Sequence, residues 1–147
     1  MPLADSKPLS NRTIAVPETR DLEAFASNLE ALGARVLRCP LVGILDAPDP
    51  APVECWLHEL ADGTFHDVVL FTGEGVRRLM GFAERAGIFE KARAGLAHAR
   101  KITRGPKPAK ALVELGLRPD VASAIPTTAG VIETLRQFDL SGRHVGV

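Results

Sequence analysis

The sequence has no tyrosine and two cysteines, Cys39 and Cys55, which stand 16 positions apart without the spacing of metal ligands. No apolar run approaches the roughly 20 residues of a membrane span, and the first residues do not resemble a signal peptide. The four histidines are scattered through the chain, which favours surface or structural roles over metal binding. We therefore predict a cytoplasmic protein with no metal and no membrane partner.

The chain also lacks an excess of charge of either sign, because Lys+Arg and Asp+Glu both number 18. Nothing global therefore favours nucleic acid or an acidic membrane surface as a partner. No Walker lysine motif and no GxGxxG follow a predicted strand, so a nucleotide-binding domain is the weakest interpretation. With 46% hydrophobic and 24% charged residues, the 147 residues suit one soluble domain or pieces of two.

The charges that are present are unevenly placed. The segment 84–110 carries eight bases against two acids, which predicts either a local cationic face or an ordinary solvated helix surface. The second interpretation is favoured for Arg85, Lys91 and Arg93. The other bases of the segment are Arg100, Lys101, Arg104, Lys107 and Lys110.

The stretch 67–80, DVVLFTGEGVRRLM, predicts a buried strand, a glycine turn and a helix. The strand covers 67–71, the turn is built from Thr72, Gly73, Glu74 and Gly75, and the helix starts near Val76. Glycines let a ligand approach backbone N–H groups, and a helix start carries partial positive charge that suits an anion. The turn therefore predicts an anion cradle. The alternative is that the glycines serve only a left-handed backbone conformation.

The N-terminal part predicts a parallel strand-helix-strand unit after a loose leader over 1–12. Its strands are 13–16 and 35–38, and its helix has one apolar face, on which Leu22, Phe25, Ala26, Leu29 and Leu32 recur at three- and four-residue intervals. Prolines then crowd the segment 40–52, which predicts an extended crossover between domains. We predict that 13–39 belongs to a first domain and 53–147 to an incomplete second one.

Two further strand-to-loop junctions follow in the second half. After a strand over 100–103 comes the turn 104–107, in which Gly105 is flanked by Arg104 and Lys107. A short strand over 119–122 leads to a helix with Val131, Ile132, Leu135 and Phe138 inward. Thr127 or Thr128 caps that helix or contacts a ligand, and the sequence leaves both roles open. A strand begins at 143, and the final Val-Gly-Val predicts a chain cut short.

These residues, in this order, resemble the uroporphyrinogen-III synthase family over almost the whole chain. The resemblance is carried by AVPETR at 15–20, GARV at 33–36, LFTGEGV at 70–76, TRGPKPA at 103–109 and PTTAGV at 126–131. It implies two flavodoxin-like α/β domains with parallel sheets, joined by an extended connector. This chain would then carry roughly half of such a protein.

The family's reaction, as the resemblance implies it, is the cofactor-free cyclisation of hydroxymethylbilane to uroporphyrinogen III. This linear tetrapyrrole bears eight carboxylates and closes with loss of water and inversion of ring D. Its pyrrole nitrogens expel the hydroxyl, so the protein mainly folds the substrate and holds its carboxylates. The full-length protein is expected to be a monomer. The predicted substrate-binding residues are Arg20, Thr72, Gly73, Glu74, Gly75, Val76, Arg104, Gly105, Lys107, Thr127 and Thr128.

The chain departs from the family pattern at two places. Many members have Ser where Gly73 stands and Thr where Pro108 stands, so contacts from those hydroxyls would need to come from the backbone, Arg104 or Lys107. The missing half would also carry the tyrosine associated with the leaving group. We expect the 147-residue chain alone to be inactive, and the alternative to an enzyme is a non-catalytic flavodoxin-like ligand-binding or regulatory module.

Overall fold

The structure is a computed structural model that describes residues 7–147, so the first half of the predicted leader lies outside the described residues. The chain divides into two compact units, Met1–Asp46 and Ala47–Val147. The division falls inside the segment 40–52. Residues 40–50 form no helix or strand, and Leu41 and Leu45 are among the most exposed apolar side chains. The assignment of this segment as a crossover between two domains stays a prediction.

The first unit contains strand β1 (Thr13–Val16), helix α1 (Leu22–Ala31) and strand β2 (Arg35–Arg38). The two strands pair in parallel, with Thr13 opposite Arg35 and Val16 opposite Arg38. Both strands have the predicted bounds, and Gly33, with φ of +97°, follows the end of α1.

The predicted apolar face of α1 is only partly covered. Ala26 is fully buried, whereas Phe25 is 49% and Leu32 is 44% exposed. A two-stranded sheet is narrow and shields one stripe of a helix, so part of the predicted apolar face stays exposed in this unit.

The second unit builds a four-stranded parallel sheet in the order β5-β4-β3-β6. Its first strand, β3, lies in the middle, so later strands are added on both sides, as in open doubly wound α/β sheets. The elements are α2 (Ala51–Ala61), β3 (Asp67–Leu70), α3 (Gly73–Arg85), α4 (Phe89–His98), β4 (Arg100–Thr103), α5 (Pro106–Glu114), β5 (Val121–Ala122), α6 (Thr128–Leu135) and β6 (Val145–Gly146).

Several element boundaries differ from the sequence prediction. Helix α3 begins at Gly73, not near Val76, and α5 begins at Pro106, so three residues of the first predicted glycine turn and two of the second are helical. Proline is favourable in the first helical turn because its missing N–H would have no partner there. Strands β5 and β6 are each shorter than predicted, at two residues.

The core of this unit lies on both faces of the sheet, because successive residues of a strand point to opposite sides. Val68 and Leu70 pack with the helices α2 to α5 on one face, and Val69 packs with Ile102 and Val131 on the other. This alternation makes the unit three layers thick.

The predicted inward face of α6 was wrong at one position. Ile132 is 46% exposed, whereas Thr134, which the prediction omitted, is buried. Thr134 Oγ1 donates to the Gly130 carbonyl at 2.8 Å, so this buried hydroxyl is satisfied within its own helix.

A charged cluster occupies the amino edge of the sheet, opposite the loops that follow the strands. Asp67 is fully buried and its carboxylate accepts hydrogen bonds from Arg100 and Arg143. Burial alone would raise the pKa of Asp67, but these two guanidinium groups outweigh it and hold the pKa below its ordinary value.

The same edge changes the interpretation of the basic segment 84–110. Lys101 is buried and pairs with Asp120 at 2.8 Å, and its ammonium also donates to the Ala99 carbonyl at 2.8 Å. Arg100 is committed to Asp67. Neither residue therefore contributes to a cationic surface.

Candidate functional site

Three loops meet at the carboxyl edge of the second unit's sheet. They follow β3, β4 and β5, and because the strands are parallel they open on the same side. The guanidinium of Arg104 lies 5.8 Å from the centre of the Phe71 ring. Gly105 lies against Pro126, since a Cβ on Gly105 would be 3.0 Å from the Pro126 Cβ. Ten of the eleven predicted site residues lie in these loops or in the first helical turns after them.

The first loop leaves two backbone donors at the start of α3. Thr72 is the N-cap, and its Oγ1 accepts from Gly75 N–H at 2.9 Å while its carbonyl accepts from Val76 N–H at 3.2 Å. Within residues 7–147, the N–H groups of Gly73 and Glu74 have no acceptor. In the predicted anion cradle over 72–76, the N–H groups of Gly73 and Glu74 are therefore the two that could bind an anion.

Packing against neighbouring atoms explains the two glycines of this loop. A Cβ on Gly73 would lie 2.7 Å from the Lys107 carbonyl oxygen, and one on Gly75 would lie 2.9 Å from Thr72 Oγ1. Neither glycine has a positive φ. The missing side chain of Gly73 was expected to make room for a ligand, but the start of α5 occupies that space. The alternative, that both glycines serve a left-handed backbone conformation, was also wrong.

The second loop is poor in backbone donors and rich in positive charge. Pro106 and Pro108 have no N–H, so the donors at the start of α5 are Gly105 and Lys107, whose N–H groups have no partner in the described chain. The side chains of Arg104 and Lys107 make no ion pair with any residue between 7 and 147. Lys107 is exposed and Arg104 half-buried, so both cations are available to a ligand.

The third loop ends at a capped helix start. Thr127 is the N-cap of α6, and its Oγ1 accepts from Gly130 N–H at 3.1 Å. Thr128 is the first helical residue and is exposed. Capping is therefore the structural role of Thr127, and the N–H groups of Thr128 and Ala129 are the donors left without an acceptor in the described chain.

The electrostatics of this carboxyl edge favour an anion. Three helix starts supply partial positive charge, and Arg104 and Lys107 add two full charges. Glu74 is the acid among the predicted site residues, and it pairs with Arg78 at 2.7 Å, one turn further along α3. The arrangement can hold carboxylates, but it offers no histidine, cysteine or unpaired carboxylate for proton transfer among the described residues of these loops.

A groove of about 430 Å³ adjoins the first loop, and no pattern in the sequence indicated it. It is mainly apolar, and its walls include Val53, Trp56, Phe71, Val76, Leu79 and Val147. Trp56, predicted as a core or interface residue, is half-buried and stacks on Phe65 with 4.8 Å between ring centres. The helical spacing of Val53 and Trp56 correctly indicated an inward face, but a groove depends on what the neighbouring elements leave uncovered.

The sequence pattern described as uroporphyrinogen-III synthase HemD matches residues 23–147. The chain belongs to the uroporphyrinogen-III synthase family. Solved structures agree: a mutant of the synthase from the extremely thermophilic bacterium Thermus thermophilus is 31% identical and aligns with a TM-score of 0.64 over 84% of this chain and 47% of that one. A wild-type crystal form of the same enzyme is 30% identical, with a TM-score of 0.53 over 84% and 47%.

A curated relative is likewise about twice as long as this chain. The uncharacterised protein YjjA of Bacillus subtilis (strain 168) is 29% identical over 141 residues, which cover 96% of this chain and 52% of that protein. The chain thus spans about half the length of the curated relative and of the solved structures that it matches. The family fold confirms the predicted α/β class with parallel sheets.

Arg20 is the one predicted site residue of this synthase-family chain that lies in the first unit. It is exposed in the bend before α1, and its backbone N–H donates to Glu18 Oε1 at 2.9 Å. Its role in substrate binding stays a prediction. Across residues 7–147, no group of three or more His, Cys, Asp or Glu side chains is placed to hold a metal ion, and no helix is both long and apolar enough to span a membrane.

Proposed function

We propose that the protein to which this chain belongs cyclises hydroxymethylbilane to uroporphyrinogen III, with loss of water and inversion of ring D. The observation that carries this proposal is the carboxyl edge of the second unit. There, three helix starts have N–H groups without acceptors in the described part of the chain, and Arg104 and Lys107 beside them have no ion-pair partner among residues 7–147.

The chemistry of the substrate fits such an edge. A tetrapyrrole with eight carboxylates is bound by separated, fixed donors more readily than by one strong site, and charge-assisted hydrogen bonds are the strong ones. The donors are the N–H groups of Gly73 and Glu74 in the first loop, Gly105 and Lys107 in the second, and Thr128 and Ala129 in the third. Arg20 is proposed as a further substrate-binding residue.

The catalytic contribution in this proposal is positioning. The hydroxyl leaves with help from the substrate's own pyrrole nitrogens, so the enzyme needs no cofactor and acts by holding the chain of rings in a closing conformation. This agrees with an edge whose described residues present donors and cations but no unpaired acid or base.

A second candidate is a non-catalytic ligand-binding module that keeps the family's fold. It is favoured by the same lack of an unpaired acid or base among the described residues of the loops. It would bind a tetrapyrrole through the same donors and release it unchanged.

An isomer assay separates these two functions. A protein of full family length that contains residues 1–147 is mixed with hydroxymethylbilane, and the products are resolved as type I and type III isomers. The enzyme gives type III faster than the spontaneous type I product, whereas product of type I alone at the uncatalysed rate would favour the module.

The same isomer assay is carried out on the 147-residue chain alone. We propose that it binds uroporphyrinogen III but does not form the type III isomer, because it spans only half of a family-length protein. We also propose that the family-length protein is a cytoplasmic monomer. Type III product from the short chain would contradict the first statement, and absence of tetrapyrrole binding would remove the carboxyl edge from the substrate site.

A further inference from the structure

Two histidines, His66 and His144, lie side by side at the amino edge of the second unit's sheet. His66 stands one position before β3 and His144 one position before β6, and these two strands pair in parallel with Asp67 opposite Val145. The ring centres of the two histidines are 5.7 Å apart, and the ring planes are nearly perpendicular, at 81°. Both residues are exposed, so protons from the solvent reach both rings.

Two hydrogen bonds in opposite directions join these residues. The N–H of His66 donates to the carbonyl of His144 at 2.9 Å, and the N–H of His144 donates back to Nδ1 of the His66 ring at 2.9 Å. The second bond uses a side-chain acceptor in place of a backbone carbonyl. The ring of His66 is therefore part of the connection between β3 and β6 at the point where their pairing begins.

The hydrogen bond to the His66 ring and a proton on Nδ1 exclude each other. A backbone N–H can only donate, so Nδ1 must offer its lone pair and the neutral ring must carry its proton on Nε2. In the imidazolium both ring nitrogens are donors. Proton uptake on Nδ1 would therefore place two donors against each other, and the contact with His144 would have to open.

The charges beside His66 also oppose proton uptake while the contact is closed. The carbonyl of His66 accepts from the N–H of Arg100, on β4, at 3.0 Å and from Nη2 of Arg143 at 3.3 Å. Asp67 supplies the opposite charge, but its carboxylate is shared by both guanidinium groups. Two cations thus surround one carboxylate, and His144 would add a further positive charge when it takes up a proton.

The helices on the other side of this edge bring two more titratable groups. Helices α2 and α4 lead into β3 and β4, so both end at the amino edge of the sheet. Asp62 follows α2, His98 is the last residue of α4, and both are exposed. The titration of His66 must be distinguished from the titration of these two groups.

We propose that His66 is a pH-sensitive switch, whose neutral ring holds the segment before β6 against β3 and whose protonated ring releases it. A histidine changes its charge between about pH 5 and pH 8. The open form binds a proton that the closed form lacks, so acid shifts the equilibrium toward the open form. This inference goes beyond tetrapyrrole binding, because the switch lies at the amino edge and the proposed substrate site lies at the carboxyl edge.

Hydrogen exchange at the His144 N–H reports on the contact directly. Exchange is followed by NMR on the 147-residue chain at pH 7.5 and pH 5.5 and is corrected for the intrinsic pH dependence of amide exchange. We expect the protection of this N–H to fall by about tenfold at pH 5.5, the effect of losing one hydrogen bond. Protection of Ile102, which is fully buried in β4, should stay the same. Unchanged protection at His144 would overturn the proposal.

The nitrogen shifts of the His66 ring give a second measurement on the unchanged chain. We expect the tautomer with the proton on Nε2 at pH 7.5, and protonation of the ring over the same pH interval in which His144 loses its protection. A proton on Nδ1 at pH 7.5 would contradict the proposal. So would a loss of protection that follows the protonation of His98 or of the His144 ring instead.

Two replacements of His66 separate the acceptor from the charge. His66→Asn keeps an acceptor oxygen near the place of Nδ1 and does not titrate, so the protection of His144 should be high at both pH values. His66→Ala has no acceptor and should show low protection at both. The matched control, His98→Asn, should keep the pH dependence of the unchanged chain. A His66→Asn variant that still lost protection in acid, or that was as unprotected as His66→Ala, would overturn the proposal.

Discussion

Gly73 and Lys107 touch at the point where α3 and α5 begin. A Cβ on Gly73 would lie 2.7 Å from the Lys107 carbonyl oxygen and 3.2 Å from its carbonyl carbon. Both atoms belong to the backbone, so they cannot turn aside as the end of a side chain can. The contact therefore determines the separation of the two loops that carry Thr72 and Arg104.

Replacing Gly73 by Ala should destabilise the second unit, although alanine is the better helix former. Overpacking against backbone costs about 1–3 kcal/mol, which exceeds the gain in helix propensity of about 1 kcal/mol. The measurement is urea denaturation followed by Trp56 fluorescence. Gly81→Ala is the control within the same helix, because its Cβ would meet Arg85 Nη1 at an ordinary 3.5 Å. If Gly73→Ala were as stable as Gly81→Ala, the contact would not hold the helices together.

The sequence predicted where the first loop lies but not why it contains glycine. Strand β3 and the apolar face of α3 follow from local periodicity, since Val76, Met80 and Ala83 recur at three- and four-residue intervals and are all buried. The reason for Gly73 is an atom 34 positions further along the chain, at Lys107. A contact of this kind depends on how two helices approach each other, which local patterns do not contain.

Thr127 and Thr128 are adjacent hydroxyls with different structural roles. Thr127→Ala removes the acceptor for Gly130 N–H and should cost about 1 kcal/mol of unfolding free energy, the usual effect of losing an N-cap. Thr128→Ala leaves the cap intact and should change stability much less. Thermal unfolding of both variants gives the comparison. Equal losses would show that the cap does not stabilise α6.

Asp67 should make the stability of the second unit depend on pH in acid. Because its folded pKa is lowered by Arg143 and Arg100, the carboxylate contributes stability above its unfolded pKa of about 3.9, and this stability is lost as the pH falls through the folded pKa. Asp67→Asn removes the negative charge and leaves Arg100 and Arg143 without their carboxylate partner, which should lower the free energy of unfolding by about 3 kcal/mol at pH 7.

If the charge of Asp67 stabilises this cluster, the difference in stability between the unchanged chain and Asp67→Asn should become smaller as the pH is lowered. Urea midpoints of the chain and of Asp67→Asn should differ most at pH 7, and the difference should shrink as the pH falls below the unfolded pKa of about 3.9 and through the lowered folded pKa of Asp67. Asp62→Asn, at an exposed position after α2, is the matched control and should behave like the unchanged chain. A difference that stayed constant from pH 7 to pH 3 would mean that the charge of Asp67 is not what stabilises the cluster.

The ion pairs of Asp67 and the separation of the bases in 84–110 could not be predicted, because both depend on contacts between residues far apart in the sequence. Arg100 and Arg143 lie 33 and 76 positions from Asp67, and nothing in the spacing of the three residues joins them. The basic segment 84–110 is one feature in the sequence, yet the structure uses Arg100 and Lys101 inside the unit and leaves Arg104 and Lys107 at the carboxyl edge. The parallel register of β3 and β4 separates them, since the two ends of a strand open on opposite edges.

Arg104 and Lys107 should contribute to tetrapyrrole binding through charge. Replacing both by Ala removes two cations that have no ion-pair partner in residues 7–147, so the loss should appear in affinity and leave stability nearly unchanged. Anaerobic calorimetry with uroporphyrinogen III should show weaker binding by about tenfold at low salt, and a smaller loss at high salt because ions screen exposed charges.

The matched control for this variant removes the same charge elsewhere. Lys91 lies on α4 and Arg118 lies in the loop before β5, at the opposite edge of the sheet, and both are exposed. Their double replacement by Ala should leave affinity unchanged at every salt concentration. If both double variants weakened binding equally, net charge would account for the effect; if neither did, Arg104 and Lys107 would belong to the solvated surface.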